Sequence, residues 1–109
     1  MAFGKQALTV ITAQSAAHEI KLIHNYNAEH RGARQAERYE QFLRKKIAGL
    51  AISYSLGSAV SDDPSMRYVL MKPRTGGDGH IAIYSVDFEA KVVEVLHVFH
   101  TKQDWQSKI

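Results

Sequence analysis

The chain has no cysteine and only two prolines. Without cysteine there are no disulfide staples and no thiolate metal sites, in keeping with a reducing, cytoplasmic setting. No positively charged start runs into an apolar stretch of roughly 7 to 15 residues, so no signal peptide is expected. No apolar run approaches the ~20 residues of a membrane span, and no membrane role is expected either. HExxH and GxSxG are both missing, which removes the usual zinc-hydrolase and serine-hydrolase signatures. There is no internal repeat and no low-complexity segment.

What remains reads as one domain over residues 1–109, long enough to bury roughly two thirds of its unfolded surface. Apolar residues make up 45% and charged residues 23%, the balance of a globular chain rather than a disordered one. A net charge of +3 and a pI near 9.3 lean mildly towards an acidic partner.

The segment from His80 to Asp104 organises the rest. Its two runs, His80–Val86 and Val92–Phe99, are rich in Ile, Val, Tyr and Phe, side chains that suit a pleated, half-buried surface. The second run is apolar at nearly every position, as expected of a central strand covered on both faces.

Taken from the start, Ala7–Ile11 reads as a short strand, with Thr12 as the N-cap of the helix that follows. Ala13, Ala16, Ile20 and Ile23 then recur at helical spacing, predicting a helix over Ala13–Asn27, with Asn25, Asn27 and Gly32 marking its end. A second helix is expected from Ala33 to Leu50. Ala36, Leu43, Ile47 and Leu50 fall on one side and Arg34, Arg38 and Lys45 on the other, with Arg31 close by and Tyr39 near the edge. That basic stripe is either a solvated helix face or an electrostatic surface for nucleic acid or an acidic protein.

Ile52–Pro64 is polar and aperiodic and reads as a loop; Met66–Lys72 reads as a strand stopped by Pro73. Arg74–Gly79 is glycine-rich, but a strand follows it. A phosphate-cradling loop would lead into a helix N-terminus, so this is a hairpin turn. Thr101–Ile109 is expected to add a short helical turn carrying Trp105. The order is β-α-α-β-β-β, an α+β fold with a helical hairpin packed on a four-stranded antiparallel sheet.

Six histidines raise the question of a metal. His97 and His100 point to opposite faces of their strand, and His18, His24 and His30 do not share a helical face, so no metal site is expected. The Asp62-Asp63 pair beside Pro64 is explained by turn chemistry. Arg67, Lys72, Arg74, His80, His97, His100 and Lys102 gather cations and proton-transfer groups in the strand region and tail. Attack of a 2′-hydroxyl on a phosphodiester needs such groups, although polar tips on a half-exposed sheet account for them equally.

Several of these segments together resemble a known family. They are Thr12–Ala17 (TAQSAA), Ile20–Ile23 with Tyr26, Ala33–Ala36 (ARQA), Met66–Tyr68, Ile83-Tyr84, Val95–His100 (VLHVFH) and Asp104-Trp105. Over nearly the whole chain the outline resembles the RelE/ParE superfamily of type II toxin–antitoxin toxins. The ending, a hydrophobic strand followed by His100, Lys102 and Asp104, looks most like the ParE branch.

The resemblance implies a toxin of the plasmid-stabilisation type, acting without a cofactor and held inactive by a cognate antitoxin. A partly disordered antitoxin segment would fold onto an exposed apolar groove. Ala16, Ile20, Ile23, Leu43 and Ile47 belong to the region expected to receive it, and the same residues are the obvious core. ParE-like toxins bind and block DNA gyrase, whereas RelE-like toxins cut messenger RNA on the ribosome. Many members of both branches carry an arginine where this chain has Ile81, and an isoleucine can neither neutralise a phosphate nor donate a hydrogen bond. The expected action is therefore gyrase inhibition without catalysis, with Lys72, Arg74, His100, Lys102 and Trp105 contacting the target. The alternative is an endoribonuclease using Arg67, His80 and His100, with ribosome and mRNA as partners.

Overall fold

The computed structural model describes residues 6–61, 63–74 and 77–109. Asp62 of the Asp62-Asp63 pair, and Thr75 and Gly76 of the glycine-rich turn, lie outside the described residues. The elements are β1 (Thr9–Thr12), α1 (Gln14–Arg31), α2 (Ala33–Ser53), β2 (Ser58–Val60), β3 (Asp63–Met71), β4 (His80–Asp87) and β5 (Val92–His100). A short 3-10 turn, Trp105–Lys108, closes the chain.

The expected helical hairpin forms, and a glycine sets its corner. Gly32 has φ +96°, a backbone conformation that side-chain-bearing residues avoid. Its N–H closes α1 onto the Ala28 carbonyl, while its own carbonyl accepts from Ala36 at the start of α2. The helix α1 runs four residues past its expected end at Asn27. Asparagine is a poor helix former, but packing against α2 overrides a propensity difference of a few tenths of a kcal/mol. Thr12 is not the cap: it belongs to β1, and Ala13 stands at the N-cap with no side-chain hydrogen bond.

The helices pack on a five-stranded sheet of order β1-β5-β4-β3-β2. This corrects the expected four antiparallel strands in two ways. First, β1 pairs in parallel with β5, Thr9 opposite Val92 through Thr12 opposite Val95, because the hairpin carries the chain back over the sheet before β5 arrives beside β1. Secondly, the stretch expected to be a loop holds the end of α2, all of β2 and the start of β3. There Gly57 lies against Tyr84, where a Cβ would strike the phenol oxygen, and the Tyr84 hydroxyl donates to the Tyr54 carbonyl at 2.7 Å. These contacts tie the end of α2 and the approach to β2 onto β4, and β2 itself pairs with β3.

The strand β5 is interior, as its composition suggests. Its ladder to β4 pairs Ile83 with His97 but Tyr84 with Val95, so Leu96 is an extra residue in a bulge. On the helix side, Ala16, Ile20, Leu43, Ile47 and Leu50 meet Val93, Val95, Val98, Ala82 and Tyr84 in the main core. On the other side Val60, Ile81, Ile83 and Phe99 form a smaller cluster with Met66, Tyr68 and Trp105 against it. Among the described residues, no helix is long and apolar enough to cross a membrane.

Candidate functional site

Where β1 stops, β5 continues, and its open edge is closed by side chains of α1. Ala13 N–H still donates to the Val95 carbonyl; one step on, the Ser15 hydroxyl donates to the Leu96 carbonyl at 2.7 Å. Glu19 Oε1 then accepts the Val98 N–H at 3.0 Å, with His97 Nδ1 3.2 Å from the same carboxylate. Past this seam the last part of β5, the start of β4 and the tail open into a groove of about 1140 Å³.

One wall of the groove is α1. Leu22, Ile23 and Tyr26 follow Glu19 at the spacing of one helical face. Leu22 and Tyr26 are 52% and 59% exposed, and Tyr26 stacks on His30 at 4.1 Å between ring centres. The opposite wall is the β3–β4 turn and the tail, which contribute Arg74, Asp78, Lys102 and Lys108, while Arg31 stands at the helical corner. Lys102 Nζ pairs with Asp78 at 3.3 Å, and Thr101 N–H donates to the Gly79 carbonyl, fixing tail to turn.

Between the walls lie Tyr39, His80 and His100. The register places His80 directly opposite His100, and their rings meet edge-on at 5.1 Å. Tyr39 reaches over from α2 to put its hydroxyl 2.5 Å from His80 Nδ1. His80 is only 9% exposed; burial, helped by the neighbouring His100, pushes its pKa down to about 4. Burial raises the Tyr39 phenol to about 12, against a smaller opposing pull from Arg31. At neutral pH the phenol is therefore the donor and His80 Nδ1 the acceptor, which leaves the imidazole proton on Nε2. In His100 the Lys102 N–H donates to Nδ1 at 3.0 Å, again favouring the proton on Nε2 in the neutral ring. The groove thus has the neutral His80 imidazole beside His100 inside and cations around its mouth.

The expected target-contacting residues separate. Arg74, His100 and Lys102 line the groove; Lys72 is exposed just beyond β3, outside it. Trp105 packs on Tyr68 at 4.9 Å over the sheet face away from the helices. Of the residues suggested for RNA cleavage, His80 and His100 come together and Arg67 does not. Arg67 stands opposite Tyr84, four residues along β4 from His80 or about 13 Å, and its guanidinium donates to the Gly57 carbonyl at 2.9 Å. Among the residues expected to meet an antitoxin, Ala16 and Leu43 are wholly inside the core. Ile20 and Ile47 reach a small cleft beside β1, and Ile23 lines the large groove. Sequence reasoning passed over Leu22 and Tyr26 as groove residues, although their spacing from Glu19 was there to find, and left Tyr39 merely at a helix edge. Among the described residues no three His, Asp or Glu side chains come close enough together to hold a metal ion.

The family model for the ParE toxin of the type II toxin–antitoxin system parDE matches residues 10–105. This chain belongs to the ParE toxin family. Among solved structures, the chromosomal ParDE toxin–antitoxin system of P. aeruginosa is similar at a TM-score of 0.73 and 15% identity, covering 90% of this chain and 100% of that one. A mutant of the E. coli toxin RelE in the free state gives 0.64 at 16% identity, covering 94% and 92%. The intact E. coli RelBE toxin–antitoxin complex gives 0.57 at 20%, covering 89% and 100%. No individually curated protein matches the sequence. At these identities the neighbours speak for the fold, and the ParE assignment rests on the family match, which takes in both helices, all five strands apart from Thr9, and the turn as far as Trp105.

Proposed function

We propose that this ParE-family chain acts in the cytoplasm as the toxin of a type II pair, blocking DNA gyrase by binding rather than by catalysis, with a cognate antitoxin to neutralise it. The carrying observation is the fate of the position where many relatives have an arginine. Ile81 is 4% exposed and packed with Val60, Ile83 and Phe99, so no cation is presented there. Arg67, the nearest substitute on the sheet, is occupied by Gly57 and far from the histidine pair. A phosphodiester-cleaving centre would need its cation within hydrogen-bond reach of the groups that move the proton.

One observation favours the ribonuclease reading: Tyr39, His80 and His100 are in contact, and histidines trade protons near neutral pH. Burial, however, keeps His80 neutral down to about pH 4, and its Nδ1 lone pair is taken by the phenol. The two readings separate in paired assays, with purified protein added to a gyrase supercoiling reaction and to ribosomes translating a defined message. Inhibited supercoiling with intact message is the expected result; codon-positioned cuts with normal supercoiling would refute it.

A further inference from the structure

We propose that the groove is a binding site for the terminal phosphate of a nucleotide, with His80 and His100 inside it and Arg31 and Arg74 at its mouth. The same group comes from a free mononucleotide or from the phosphorylated end of a nucleic-acid strand. The inference stands apart from the toxin reading, since it uses only the groove's own donors, charges and shape.

The inside of the groove is lined with donors. His80 is buried, the Tyr39 hydroxyl engages its Nδ1, and its Nε2 has no hydrogen-bond partner among the described residues. Because His80 lines the groove, that N–H is offered to whatever enters. His100 stands directly opposite in the ladder. With its Nδ1 taken by the Lys102 N–H, it too carries a proton on Nε2.

The charges at the mouth are equally uncommitted. Of the two carboxylates lining the groove, Asp78 is paired with Lys102 and Glu19 accepts the Val98 N–H. Arg31, Arg74 and Lys108 have no carboxylate partner among the described residues. Arg31 lies near enough to the Tyr39 hydroxyl to act on its ionisation, so the cations adjoin the histidine pair. That set exceeds the needs of one carboxylate. A phosphate monoester carries nearly two negative charges and three strong acceptor oxygens, which guanidinium forks and N–H donors match. Phosphates within a duplex backbone lie along a broad cylinder and reach only the mouth. A terminal phosphate stands clear of its chain and can meet a buried ring.

The wall suits the rest of a nucleotide. Leu22 and Tyr26 give α1 an exposed apolar ridge beside Ile23. Tyr26 stacks on His30 yet keeps more than half of its surface exposed, so ring area remains for a base. The volume of about 1140 Å³ lies just above the roughly 300–1000 Å³ of most ligand sites and leaves room for one.

Isothermal titration calorimetry on the full chain, at ~0.15 M salt to screen long-range attraction, compares AMP, adenosine and inorganic phosphate. AMP should bind about tenfold or more tighter than adenosine, which lacks the phosphate, and tighter than inorganic phosphate, which lacks the base. Arg31→Ala/Arg74→Ala should lose about tenfold, and His80→Leu a comparable amount. Arg34→Ala/Arg38→Ala, exposed on α2 and outside the groove, should bind AMP as the wild type does. Circular dichroism melts check each fold. If His80→Leu unfolds, nitrogen NMR of the wild-type His80 ring replaces it: AMP should shift the Nε2 resonance and adenosine should not. A single strand of about six nucleotides, with or without a 5′-phosphate, identifies the source. Preference for the phosphorylated strand over AMP assigns the site to nucleic-acid ends, and the reverse assigns it to free nucleotides; both support a terminal-phosphate pocket. Both strands binding as tightly as AMP, with no gain from the phosphate, would mean that the backbone is recognised and would overturn the assignment. Adenosine matching AMP, or an equal loss from the Arg34/Arg38 variant, would overturn it too. So would the absence of saturable binding by AMP and by the phosphorylated strand up to about 1 mM.

Discussion

His80 is the residue whose chemistry folding alters most. Its pKa falls from an ordinary 6.5 to about 4, so the unfolded chain binds the proton more readily. The stabilisation is complete above pH ~6.5 and is lost as pH falls through the window to about 4, at a cost of about 3 kcal/mol. Urea unfolding at several pH values should show that decline, and His80→Leu should flatten it; an unchanged slope in the variant would mean that another group is responsible. Tyr39 gives the opposite limb. Its pKa is raised to about 12, so its contribution is whole below pH 10 and disappears as pH climbs from there towards 12. Tyr39→Phe should remove that alkaline loss. At neutral pH it should cost about 1 kcal/mol, the net worth of one hydrogen bond to the buried imidazole.

At the scale of elements, β5 is where two substitutions on neighbouring residues should diverge. Val95 is fully buried under the helical hairpin, and Val95→Asp should cost ~4 kcal/mol or more. Leu96 sits in the bulge and is only partly buried, so Leu96→Asp should cost only about 1–2 kcal/mol; thermal melts distinguish the two. The composition of β5 announced an interior strand, but an unbroken apolar run cannot show which residue a bulge will leave unpaired. The helical hairpin and the β3–β4–β5 meander were legible because period and turn chemistry are local signals. The parallel pairing of β1 and the three-residue β2 were not, since both depend on contacts across the fold, through Ala13 to Val95 and Gly57 to Tyr84. The seam between α1 and β5 was equally hidden. Nothing in the sequence says that Glu19 will accept from Val98, 79 positions away. Glu19→Ala should expose the strand edge, costing about 1 kcal/mol and speeding exchange of the Val98 amide, readable by hydrogen exchange.

For the whole molecule, the structure divides the residues that the sequence grouped as target-contacting. Arg74, Lys102 and His100 share one groove, while Trp105, which sequence reasoning grouped with them, helps to cover the far face of the sheet. Arg74 and Lys102 are exposed and contribute little to the fold. Arg74→Ala with Lys102→Ala should therefore weaken growth inhibition while shifting Tm by no more than about 2–4 °C, since exposed ion pairs such as Lys102–Asp78 contribute under about 1 kcal/mol. The most direct measurement of the central claim is gyrase supercoiling titrated with the purified wild type and with this double variant. We expect the wild type to stop supercoiling and the variant to need a markedly higher concentration. Undiminished supercoiling at every wild-type concentration would contradict it.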